Sequence, residues 1–208
     1  DKGSLLRASG NLRLGIGEFL VLGSFGVEKT STTETKNNKT IQTNKLLIGA
    51  AGSDIFLGSG SAPYDDGNDT GVLLSDVKFG MAIFSQYDIT NPNSPVEIPE
   101  GSGKAISASG GAELLGVDGL VLRGTLHFGS NDTGFTEDLG NGYVVDETLV
   151  MPDPDNPGES IEVKIQYTGP VDLRLSGTAE LAIEGSGGNE LISLKGGFAF
   201  EKSTTTEN

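Results

Sequence analysis

The sequence predicts an all-β protein: an elongated, repetitive antiparallel sheet built from long hairpins, with a β-solenoid or β-sandwich as the alternatives. Three observations lead there. Apolar residues recur with a period of two, no stretch carries the 3.6-residue period with proper helix caps, and the chain repeats itself. Residues 23–34, GSFGVEKTSTTE, read almost letter for letter against residues 196–207, GGFAFEKSTTTE. The offset is 173, since 198 − 25 = 173. The expected organisation follows: residues 1–35 are the closing hairpin of one repeat and 36–208 are one complete following repeat. A first residue Asp1 in place of Met fits a piece cut from a tandem array.

A smaller unit recurs within the large one. Ser9-Gly10, Ser109-Gly110 and Ser176-Gly177 each open an alternating run, then a turn, then a second run. Leu120, Leu122, Gly124, Leu126 and Phe128 share one predicted strand face, and Ile192, Leu194, Gly196, Phe198 and Phe200 share another. Such alternation marks a strand buried on one side, as in antiparallel sheets. The glycine at the centre of each face (Gly23, Gly124, Gly196) reads as a bend or a packing notch.

Further strands are expected over 46–48, 55–57, 72–74, 77–84, 104–108, 143–150, 161–167 and 171–175. Asp118-Gly119 reads as a hairpin turn. Residues 152–158, rich in Pro and Gly, read as a second hairpin connection, and 91–95 as a loop. Thr30–Thr43 reads as a polar connector or exposed edge whose Thr content permits β structure.

Composition limits the function. The chain has 208 residues and a net charge of −15, and 32 of its residues are Gly. Nucleic-acid affinity comes from cations meeting phosphates, so this charge argues against such a partner. No run of 18 apolar residues predicts a membrane-spanning helix. Without Cys there is no disulfide, thiolate metal site or thiol nucleophile. The single histidine, His127, occupies a strand position that the other copies fill with Gly26 and Ala199, so an enzyme is not expected.

The sharper chemical candidate is Ca²⁺, which takes six to eight oxygen ligands. Asp65, Asp66, Asn68 and Asp69 crowd one loop; Asp153, Asp155, Asn156 and Glu159 crowd another. A third cluster joins Asn131 and Asp132 to Glu137 and Asp138. Asp, Asn and Gly are also what turns are made of. Residues 49–58, GAAGSDIFLG, resemble one nonapeptide of the calcium-binding RTX type.

Segments 46–58, 70–84, 108–126, 145–152 and 175–202, in that order, resemble the long repeats of giant secreted or surface proteins of bacteria, of the RTX- and VCBS-type adhesins. The resemblance implies an extracellular or cell-surface location. It also implies a role as a structural extender, or stalk, whose partners are neighbouring repeats of the same chain. Edge-to-edge self-association follows from the same reading. A ligand- or carbohydrate-binding adhesion module is the alternative, and it predicts an exposed aromatic cluster; a self-assembling filament or surface-layer subunit is another. No Trp and four Tyr argue against sugar stacking.

Overall fold

The computed structural model describes residues 4–16, 19–60, 69–153, 156, 158–185 and 189–202. Among them there is no helix, and ten strands make up most of the described residues. They are β1 (Ser4–Ile16), β2 (Phe19–Lys36), β3 (Lys39–Ser59), β4 (Thr70–Asp88), β5 (Val96–Leu115), β6 (Leu120–Asn131), β7 (Val145–Pro152), β8 (Ser160–Tyr167), β9 (Val171–Glu184) and β10 (Glu190–Lys202). The expected antiparallel sheet of long hairpins is what forms. Eight strands lie in the order β1-β2-β3-β4-β5-β6-β9-β10, every pairing is antiparallel, and the sheet is not closed into a barrel.

Strands of this length exceed the usual 3–10 residues. The 21 residues of β3 span about 70 Å at ~3.3 Å each. Two of the short expected strands, 46–48 and 55–57, are parts of β3. The register of β3 shifts between Ala50 and Ile55, where Gly52 has φ of 61°, and the bulge absorbs the irregular stretch. The RTX-like segment 49–58 is therefore strand interior and not a turn followed by a strand. Thr30–Thr43 is likewise no linker. It is the paired end of β2 and the start of β3, joined by a two-residue turn at Asn37 and Asn38, both at positive φ. Asn tolerates that left-handed region, which tight hairpin turns require.

Residues 145–167 leave the sheet. β7 and β8 form their own two-stranded hairpin, inserted between β6 and β9, which lies across one face of the large sheet. It is amphipathic: Val145, Leu149 and Met151 on β7, with Val163, Ile165 and Tyr167 on β8, are buried, while Thr148, Val150, Glu162 and Lys164 beside them are exposed. With Leu47, Ala82, Phe84 and Ala105 from below they form the core. Phe135 packs edge-on to Phe84, with ring centres 4.9 Å apart.

The hairpin can come this close because of a row of small residues. Gly26, Gly49, Gly80, Ser107 and Gly129 are paired one to the next across β2, β3, β4, β5 and β6. A Cβ on Gly26 would lie 2.7 Å from Met151 Cγ, and one on Gly49 2.8 Å from Leu149 Cδ2. On Gly80 it would lie 2.7 Å from Val163 Cγ1, and on Gly129 2.7 Å from the Tyr167 hydroxyl. The row is a trough cut across the strands, and the hairpin side chains lie in it. Tyr167 also donates its hydroxyl proton to the Ile106 carbonyl, and Lys45 Nζ reaches Glu147 at 2.6 Å, tying β3 to β7.

The central glycines of the three repeated strands are not equivalent. Gly124 is a close approach, since a Cβ there would meet the Thr178 carbonyl at 2.1 Å, whereas Gly196 has open space around it.

Candidate functional site: the two edge hairpins

The hairpins at the two edges of the sheet are the same structure twice. In β1–β2, Gly10 pairs with Phe25, Ser9 with Gly26 and Arg7 with Glu28. In β9–β10, Gly177 pairs with Phe198, Ser176 with Ala199 and Arg174 with Glu201. The second strands differ by the sequence offset of 173 throughout. Arg7 Nε donates to Glu28 Oε2 at 2.8 Å and Arg174 Nε to Glu201 Oε2 at 2.8 Å. In both, the Phe ring packs over the facing glycine: a Cβ would lie 3.5 Å from Phe25 on Gly10 and 3.0 Å from Phe198 on Gly177. The glycine leaves the space that the ring fills.

Their surroundings differ. β2 is flanked by β3 and roofed by the β7–β8 hairpin, under which Ser24 and Gly26 are buried; Gly23 is buried as well. The Ser24 hydroxyl donates to the Pro152 carbonyl and lies 2.9 Å from Asn11 Oδ1. β10 has β9 on one side and is exposed along its whole length. Leu194, Phe198 and Phe200 are 68%, 44% and 53% exposed. An uncovered edge of this kind is a template for pairing with another strand.

On the roofed side of the sheet, beyond the roof, charges replace apolar groups. Glu180 on β9 accepts from Arg123 Nε at 3.0 Å and pairs with Lys195 Nζ at 2.7 Å, forming a ladder across β6, β9 and β10. The Arg123 and Lys195 donors hold the Glu180 carboxyl below its usual range. Exposed pairs of this kind fix register more than they add stability.

Of the predicted calcium residues, Asp65, Asp66, Asn68 and Asp155 lie outside the described residues. Asp69 is buried immediately before β4, where Gly60 leaves room for its carboxylate. Asp153 closes the β7–β8 loop instead, accepting from the Asn156 backbone at 3.2 Å and its side-chain amide at 3.0 Å. The Asp153 backbone N–H donates to the Glu159 carbonyl. In the third cluster, Asp138 accepts three backbone N–H bonds, from Gly140, Asn141 and Gly142, which lower its pKa. Asn131 is buried and holds Thr133 and Gly169. Among the described residues no group of three His, Asp or Glu side chains is arranged to hold a metal ion. His127 is exposed and faces Ser109 and Ser176.

Sequence reasoning found the repeated hairpins but missed the glycine trough. The signal was in the abundance of glycine at strand positions; what it lacked was the identity of the element crossing above. No family model, curated protein or solved structure matches the chain.

Proposed function

We propose that the chain is a structural extender repeat of a giant extracellular or cell-surface protein of the adhesin type. The observation that supports this most is the pair of equivalent hairpins, one at each edge of an open sheet. A unit whose last hairpin repeats its first can be continued by a further unit without a change of geometry. The location outside the cell rests on the resemblance to giant surface repeats. No catalytic step is assigned to any residue, and calcium in the acidic loops stays part of the proposal.

Thermal unfolding of one and of two joined repeats, with and without millimolar Ca²⁺, tests the reading. An extender gains stability with repeat number. Binding of the ion to the folded state adds a further rise. Equal midpoints for one and two repeats, with Ca²⁺ silent, would remove both parts.

A ligand-binding adhesion module is the second reading, favoured by the exposed Phe198 and Phe200 side by side on β10. It predicts that a ligand, and not a further repeat, protects these rings.

A further inference from the structure

We infer that β9–β10 is a shared hairpin: a second copy of this chain builds its β3-type strand directly onto β10 and closes its β7–β8-type roof over Ala199. This rests on the extender reading and specifies its junction. Two successive copies then form one uninterrupted sheet and overlap by a hairpin, in contrast to two domains joined by a linker.

The molecule already displays this junction once. β1–β2 has the pairing, the ion pair and the ring-on-glycine contact of β9–β10, and it is seated against β3 and beneath Met151 and Leu149. The positions buried there, Gly23, Ser24 and Gly26, correspond to Gly196, Gly197 and Ala199, all exposed. Gly197 and Ala199, on the strand face that Ser24 and Gly26 occupy in β2, stand exposed on this edge strand. Such small residues are what a covering hairpin requires in β2. The register follows from the equivalence. Phe25 pairs with Ala50 and Val27 with Ile48, so Phe198 faces the second copy's Ala50 and Phe200 its Ile48. One position fits less closely. Ala199 adds a methyl where Gly26 leaves room for Met151, and the flexible thioether chain is the side chain suited to yield.

The test joins the full chain, residues 1–208, directly to residues 36–208 of a second copy. Amide hydrogen exchange along β10 is compared between this tandem and the single chain. The outward-facing amides of β10 slow by about tenfold or more in the tandem. Ala199→Leu is silent in the single chain, where the site is open, and removes that protection in the tandem. Ala199→Gly keeps it. Equal exchange of β10 in single chain and tandem, or an Ala199→Leu tandem that stays protected, overturns the inference. Small-angle scattering on the same samples separates the two levels. An elongated tandem with unprotected β10 rejects the shared hairpin and leaves the extender; a compact one rejects both.

Discussion

Met151 packs directly onto Gly26, with its Cγ 2.7 Å from where a Cβ would be. The contact couples two segments far apart in sequence. It means that Met151 seats here because the strand below presents no side chain, and that a large one at this position would block it. Gly26→Val forces either Met151 off its rotamer or the roof off the sheet. Overpacking of this kind costs about 1–3 kcal/mol, so denaturant unfolding is expected to show a lower midpoint with an unchanged slope. The same substitution at Gly196, where nothing lies within 4 Å, leaves the midpoint in place.

Tyr167 and Gly129 give a cleaner coupling. The Tyr167 hydroxyl is the atom a Cβ on residue 129 would strike; its ring carbons stand back at 3.5 and 3.6 Å. Gly129→Ala is therefore destabilising in the parent chain. Tyr167→Phe alone loses the bond to the Ile106 carbonyl, worth about 1 kcal/mol. In the double variant the alanine methyl occupies the space the hydroxyl left. A double-mutant cycle should show the two costs to be less than additive.

The roof carries the core, and the far edge does not. Ile165→Ala or Leu149→Ala removes fully buried methyl groups and costs about 2–5 kcal/mol. Leu194→Ala, at an exposed position, changes stability by about 0.5 kcal/mol or less. Chemical denaturation of the three variants checks the contrast. Equal effects would place the core elsewhere.

Acid should weaken the fold from its loops and ladder inward. Asp138 is held below the usual carboxyl range by the Gly142, Gly140 and Asn141 backbone donors. Asp88 is held low by Thr90, and Glu180 by Arg123 and Lys195. Each carboxylate keeps its charge to lower pH folded than unfolded, so the unfolded chain binds more protons near pH ~4 and stability rises with pH there. The contribution is complete above the ordinary carboxyl range and is lost as pH falls through the depressed folded values. Asp138→Ala flattens this acid limb, read by thermal unfolding between pH ~2 and ~6.

How much of this was legible in the sequence depends on where the information lies. Alternation at Leu120–Phe128 and Ile192–Phe200, and the doubled GSFGVEK/GGFAFEK segment, are local. They yielded the all-β fold and the hairpin turn at Asp118-Gly119, where Leu120 N–H bonds the Val117 carbonyl. The Pro- and Gly-rich stretch 152–158, between the expected strands 143–150 and 161–167, also gave a hairpin, which is β7–β8. That this hairpin leaves the sheet and lies over Gly26, Gly49, Gly80 and Gly129 is a long-range fact. No residue near Val145 announces it. The Asp- and Asn-rich loops carry two chemistries at once: the oxygen atoms that suit a cation also suit backbone N–H groups, and Asp138 and Asp153 accept bonds from the latter.

The central claim is that copies continue one sheet. Each added repeat contributes six strands, equivalent to β3, β4, β5, β6, β9 and β10. At ~4.8 Å between strands the particle should lengthen by about 29 Å per copy. Measuring the long dimension of arrays of one, two and three repeats by small-angle X-ray scattering or electron microscopy tests this directly. A constant increment of about 29 Å is the predicted result. Beads of variable spacing, each as wide as the whole eight-stranded sheet, would contradict it.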